Sequence, residues 1–277
     1  MRPFLSSSRL SPNDGLPEGY EQIRLPGTIV VAQRAQLDAI RTALAAGTLY
    51  EYAARRPESR PLAGRGVAYA TKLPNGVPVV VRHNRHGGLF ARLTGDRFLA
   101  PTRAPYELAT SIRLTKSCDV ATPPIFAYAI YDAGPFLRRS DVVSLEIPNA
   151  TDLAAVLMRG TDVERREAIH KTAFLIGSLS ECGARHHDLN IKNVLLMRNV
   201  VEPSSMSAYI LDVDRVTFGQ PRSAEITESN IARLQRSARK WRALYGARID
   251  ERELEWLALT ARRSVSMPPA PRSSTRS

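Results

Sequence analysis

The stretch HHDLNIKNVLL, His186–Leu196, decides how the rest of the chain is read. His186, Asp188 and Asn193 stand at fixed offsets just before the apolar run Val194–Leu196. A histidine, a carboxylate and an amide so placed ahead of a strand-forming triplet point to a loop that holds something. The plain alternative is a polar turn in which Asp and Asn bond only nearby backbone groups. A second signal favours the first reading: Asp212, in LDVD, closes the next short apolar stretch, YILDV (209–213).

The chemistry of these four side chains is specific. The spacing H-x-D-x-x-x-x-N followed by a downstream aspartate is that of a kinase catalytic loop. Phosphoryl transfer asks little covalent work of a protein; it needs an acceptor hydroxyl held in line and cations that neutralise nucleotide phosphates. Asp188 is expected to orient or accept the acceptor's hydroxyl proton. Asn193 and Asp212 offer hard oxygen atoms to Mg²⁺. His186 is expected to brace the loop rather than react.

Upstream, Val67–Thr71 and Val77–Arg82 read as two strands joined at Asn75-Gly76, a dipeptide suited to a tight hairpin with positive φ angles. Alternation puts Val77, Val79 and Val81 on one face and Val80 and Arg82 on the other. Gly64 and Gly66, in AGRGVAY, precede the hairpin, where a glycine loop lets backbone amides approach phosphate. Pro105 suits the first turn of a helix that carries Glu107, Leu108, Ile112 and Thr115. In that order Arg82 takes the place of a nucleotide-phosphate cation and Glu107 that of its ion-pair partner. Each also has an ordinary reading as a solvated surface charge.

Further strands are expected around residues 125–131, 142–148 and 194–196. A helix is expected from Asp162 to Cys182, stopped by Gly183, and another from about Glu225 to Tyr245 with Ile231, Leu234, Trp241 and Leu244 inward. Strands dominate the first half and helices the second, an α+β fold of two unequal lobes. The expected organisation is a flexible segment at 1–25, a domain at 26–264 divided near 148, and a disordered Pro/Ser/Arg-rich tail at 265–277.

Composition sets limits. The 277 residues, 43% hydrophobic and 24% charged, suffice for a sizeable core and exclude a disordered class for most of the chain. A net charge of +12 attracts nucleic acid, anionic lipid or phosphorylated substrates. Nucleic acid is set aside, because only 6% of residues are aromatic and no reader motif is present. Cys118 and Cys182 have no metal-ligand spacing, which argues against a disulfide framework or zinc site and fits a reducing cytoplasm. No apolar stretch is long enough to span a bilayer. Arg236, Arg239 and Lys240 fall on one helical stripe that could meet anionic head groups or an acidic sugar. No residue pattern reports the oligomeric state.

From about Leu62 to Lys240 the chain resembles the lipopolysaccharide core kinases, most closely the 3-deoxy-D-manno-octulosonic acid (Kdo) kinases. The matching stretches are GRGVAY, VVVRHNRHGG, TRAPYE, HHDLNIKNVLL, ILDVDR and NIARLQRSARK. Arg82, Gly87-Gly88, Asn190 and Asp212-Val213-Asp214-Arg215 stand where that family departs from ordinary protein kinases. The resemblance implies a two-lobed protein-kinase-like fold, ATP and Mg²⁺ as cofactors, and phosphorylation of a sugar hydroxyl on Kdo-lipid A or a related acidic glycolipid. It also implies a peripheral protein on the cytoplasmic side of the inner membrane, bound to an anionic surface. Two other readings stay open: a kinase of this fold acting on a protein or small molecule, and an inactive nucleotide-binding module, suggested by arginine in place of lysine at position 82.

Overall fold

A computed structural model describes residues 15–62, 68–83, 98–99, 102–134, 137–199 and 205–266. The described residues divide into two compact units: one holds those up to Ile112 together with Pro123–Ile147, the other Arg113–Thr122 and those from Pro148 onward.

The first unit is built on one antiparallel sheet. Its strands are β1 (Tyr20–Leu25), β2 (Thr28–Gln33), β3 (Arg60–Leu62), β4 (Ala68–Lys72), β5 (Pro78–His83), β6 (Phe98–Leu99), β7 (Ile125–Asp132) and β8 (Leu137–Leu145). They lie in the order β1-β2-β7-β8-β5-β4-β3, with β6 beside β8. The valine alternation of β5 is realised: Val79 and Val81 are fully buried, whereas Val80 and Arg82 are partly exposed. The buried face packs on helices α1 (Leu37–Leu44) and α2 (Leu49–Arg55) through Ile40, Leu49, Tyr52 and Ala53. Helix α2 starts on a capping box in which Thr48 and Glu51 satisfy each other's backbone amides. Helix α3 (Ala104–Ser117) begins at Ala104, with Pro105 in its first turn.

The second unit carries α4 (Leu153–Arg159), α5 (Asp162–Glu181), α6 (Ala224–Tyr245) and α7 (Glu251–Ser266). Its short strands are β9 (Ala150–Asp152), β10 (Ala184–His186), β11 (Val194–Arg198), β12 (Met206–Ile210) and β13 (Val216–Phe218). They pair as β12-β11-β9 and β10-β13. A continuous core joins Leu157, Ile176, Leu179, Ile191, Leu196, Ile231 and Leu257. Gly183 ends α5 as expected: its φ is +72°, and a Cβ there would lie 2.5 Å from the Gly219 carbonyl oxygen. No L side chain fits that combination. Mixed α and β content, sheet first and helices later, is the α+β class expected.

Several expectations are corrected. Strand β1 lies inside the segment expected to be flexible, held by its ladder to β2. The β4–β5 connection is not a turn with two positive φ angles. Pro74 and Asn75 occupy a β-turn closed by the Gly76 N–H on the Leu73 carbonyl (2.8 Å), and only Gly76 is left-handed, at +84°. Proline's fixed φ selects this turn over the mirror-image form. The strand expected at 142–148 is centred earlier, on Leu137–Leu145, and the one ending near Asp212 stops at Ile210. Leu244 of α6 is 61% exposed; the inward stripe is Ile226, Asn230, Ile231, Leu234 and Ala238. Arg239 is not a free member of a cationic stripe, because its guanidinium is bidentate on Glu251, which also takes Arg242 at 2.6 Å. Those two arginines hold the Glu251 carboxyl down at about 2. Cys118 and Cys182 are free thiols, yet they are neighbours: the Cys118 thiol is shifted down by a bond to Cys182 and by nearby Arg113.

Candidate functional site

The quoted stretch forms a loop between β10 and β11 whose backbone is bonded at nearly every residue. His186 is fully buried. Its Nε2–H donates to the Leu211 carbonyl at 2.9 Å, and its Nδ1 accepts the Asp188 N–H at 3.2 Å. Both bonds require the neutral ring in one tautomer. Burial pushes the His186 pKa down, opposed by the Leu211 carbonyl and the charges of Asp212, Asp188 and Asp214. The ring is therefore a brace between the loop and the LDVD segment, two stretches about 25 residues apart in sequence.

The Asp188 carbonyl is gripped twice, by Asn190 Nδ2 and Asn193 Nδ2, each at 2.9 Å. Three bonds thus fix the Asp188 main chain in the loop, and its side chain is half-buried. Because Asn193 spends its Nδ2 on that carbonyl, its amide oxygen is the atom it has to offer a cation. The β11–β12 ladder pairs Val194 with Ile210, and one step further the Leu211 N–H bonds the Asn193 carbonyl at 2.9 Å. That step brings Asn193 beside the residue preceding Asp212. Asp212 itself is exposed and left-handed, at φ +54°, a conformation aspartate tolerates better than most residues. Its carbonyl accepts from Arg215 N–H at 3.1 Å, so the chain turns sharply and sets the carboxylate at the turn. The described residues hold no cluster of three or more His, Cys, Asp or Glu fit for a metal. The oxygen donors on offer are an amide and a carboxylate, the pair that a cation largely ligated by water and phosphate would use.

Two supports escaped the sequence reading. Asn230, fully buried on α6, accepts the His186 N–H (3.1 Å) through Oδ1 and donates from Nδ2 to the Ala184 carbonyl (2.9 Å), clamping β10 from 44 residues away. Its signal was an amide on the otherwise apolar series Ile226, Asn230, Leu234, Ala238 at helical spacing. Lys192 reaches Asp152 at 2.6 Å, and the same carboxylate caps α4 through the Ala155 N–H at 2.8 Å.

In the sheet unit, Arg82 and Glu107 meet: Arg82 Nη2 is ion-paired with Glu107 Oε1. Glu107 is 1% exposed, Arg82 27%. On the opposite face of β5, His83 Nδ1 lies 2.6 Å from Asp141 Oδ1, and Asp141 Oδ2 takes the Tyr50 N–H at 2.9 Å. This pair, which the sequence reading did not find, ties the end of β5 to helix α2. Gly64, Gly66, Gly87 and Gly88 lie outside the described residues.

The comparisons agree in kind. The kinase of that name from Vibrio vulnificus (strain YJ016), 3-deoxy-D-manno-octulosonic acid kinase, is 29% identical over 184 residues, covering 65% of this chain and 72% of its own. The Photobacterium damsela subsp. piscicida protein of the same name is 27% identical over 203 residues, 72% and 80% of the two chains. A solved complex of WaaP with acyl carrier protein aligns at 18% identity and a TM-score of 0.49, over 81% of this chain and 95% of that one. The description "Lipopolysaccharide kinase (Kdo/WaaP) family" matches residues 58–261, which span the Arg82–Glu107 pair, the His186–Asn193 loop and Asp212. The chain belongs to the lipopolysaccharide kinase (Kdo/WaaP) family, phosphotransferases that act on a sugar hydroxyl.

Proposed function

We propose that this protein uses ATP to phosphorylate a sugar hydroxyl of Kdo-lipid A, or a closely related acidic glycolipid, during assembly of the lipopolysaccharide inner core. The observation that carries the reading is the Asp188 loop. Its backbone is held by His186, Asn190 and Asn193, so the carboxylate is presented with little freedom left to lose. Asp188 orients the acceptor hydroxyl and takes its proton as the oxygen attacks the terminal phosphorus of ATP, whose bond to the bridging oxygen breaks so that ADP leaves. Asn193 and Asp212 would hold Mg²⁺, which supplies charge neutralisation at the nucleotide phosphates. Arg82 offers a forked cation to phosphate, and Glu107 fixes its direction.

Support for activity over an inactive module lies in the complete set Asp188, Asn193 and Asp212, and in an Arg82 already paired. Support for a sugar over a protein acceptor lies in the name of the relatives, 3-deoxy-D-manno-octulosonic acid kinase. On this reading the protein works at the cytoplasmic face of the inner membrane. Among the described residues no helix is long and apolar enough to cross a membrane. The test is mass spectrometry of Kdo-lipid A incubated with the protein and Mg-ATP, beside Asp188→Asn. One added phosphate, formed by the unmodified protein alone, is expected; equal product from both would sink the assignment of Asp188, and product from neither would sink this acceptor.

A further inference from the structure

Helices α5 and α7 run side by side in the same direction. Arg165 Nη1 lies 3.6 Å from Glu253 Oε1, and the His170 and Trp256 rings are 5.7 Å apart. Further along, a Cβ on Gly177 would lie 2.6 Å from the Ser264 Cβ, so glycine is what lets the helices close. The contacts advance by similar steps on both helices, which fixes the shared direction.

Their outer faces carry two stripes of the same helical spacing. On α5, Val163, His170 and Phe174 fall on one line; on α7, Arg252, Trp256, Leu259 and Arg263 do so. Val163 is 58% exposed, Phe174 46%, and Trp256 and Leu259 45% each. Single exposed apolar residues are ordinary, but these are joined. The His170 ring stands edge-on to Phe174 at 4.8 Å and tilts over Trp256, so three rings make one outward aromatic surface.

Its rim is basic. Arg252 and Arg263 are exposed at the two ends of the α7 stripe. Glu167 lies on the α5 line itself, between Val163 and His170, where it is engaged by Lys171 at 3.4 Å and faces His170 Nδ1 at 3.9 Å, and Glu255 stands exposed beside Trp256. Rings that rest at the depth of lipid head groups, with arginines beside them, match a surface that is apolar beneath and negative above. An acidic protein would meet the arginines but leave the indole and phenyl rings needing a matching pocket.

We propose that the outer face of α5 and α7 docks the protein on an anionic lipid bilayer. The inference rests on the lipid-anchored acceptor proposed above and names the surface by which the protein reaches it. This face, and not the Arg236/Arg239/Lys240 stripe, carries the contact, since Arg239 is spent on Glu251.

The test uses the full chain and vesicles of phosphatidylcholine with or without phosphatidylglycerol, read by flotation. Two variants are compared with the unmodified protein: Phe174→Ser with Trp256→Ser, and Arg252→Glu with Arg263→Glu. Binding to the phosphatidylglycerol vesicles is expected to fall about tenfold or more in each, and to weaken with salt in the unmodified protein. Turnover of acceptor dispersed in detergent should be unchanged, which shows that the variants are folded. Unaltered flotation of both variants, or no preference for phosphatidylglycerol in the unmodified protein, overturns the proposal and leaves the face to a protein partner. Failure of the unmodified protein on detergent-dispersed acceptor would instead overturn the acceptor assignment, and flotation would still be read on its own.

Discussion

Glu107 receives Arg82 on one carboxylate oxygen and keeps the other, Oε2, buried without a hydrogen-bond partner. The pair is lopsided: nearly all of the burial falls on the acid. Removing the cation leaves a charge that neither water nor protein can stabilise. Arg82→Ala is expected to cost about 3 kcal/mol in urea unfolding, whereas Arg82→Met with Glu107→Leu should regain most of that loss. Turnover should be lost in both, because stability and phosphate binding draw on different properties of the pair. Equal stability of the single and double variants would show that the ion pair is not what holds Glu107.

Asp188→Asn keeps the side-chain shape and all three main-chain bonds that hold Asp188 in the loop, so unfolding should shift by no more than about 1 kcal/mol. Its kcat is expected to fall about 10³-fold, the scale of a lost general base. A comparable fall in thermal stability would place the carboxylate among the loop's supports instead.

Asn230→Ala strands the His186 N–H and the Ala184 carbonyl in a site with no access to water. A loss of about 2–3 kcal/mol is expected, with kcat reduced although Asn230 meets no substrate. Amide exchange at His186 is the direct readout, and protection equal to that of the unmodified protein would contradict the clamp.

The pH dependence follows from His186. Its folded pKa lies below its ordinary value of 6.5, because burial disfavours the imidazolium. The neutral ring's contribution is therefore complete above about pH 6.5 and is lost as pH falls through the folded value, when the charged ring can no longer accept the Asp188 N–H. Stability measured from pH 8 to pH 5 should decline on the acid side, and His186→Gln should flatten that decline. An identical slope in the variant would assign the acid limb to other groups.

Much of the candidate site was legible because its parts are local. The octet from His186 to Asn193 folds on itself through bonds two to five residues long, so its spacing carries its geometry. Gly183 was readable for the same reason: a glycine directly after the apolar helical pattern offers the left-handed residue on which many helices end. Helices α1, α2, α4 and α7 were not read, although Thr48 and Glu51 spell out a capping box. They are short or mixed in polarity, and what stabilises them is the sheet or helix they cover.

The sequence by itself determined which groups can do chemistry and in what order they come: an α+β chain, a braced aspartate, an amide and a second aspartate, a cation on a strand and an acid on the next helix. Tertiary structure alone decided which of those groups are held and by what. Burial made Glu107 an obligate partner of Arg82, Asn230 a clamp on a loop far away in the chain, and His83 with Asp141 an anchor for helix α2. It also spent Arg239 on Glu251 and brought His170, Phe174 and Trp256 together on one outward face. Periodicity names the face a residue occupies on its own element; the neighbour across that face is set by packing between distant segments.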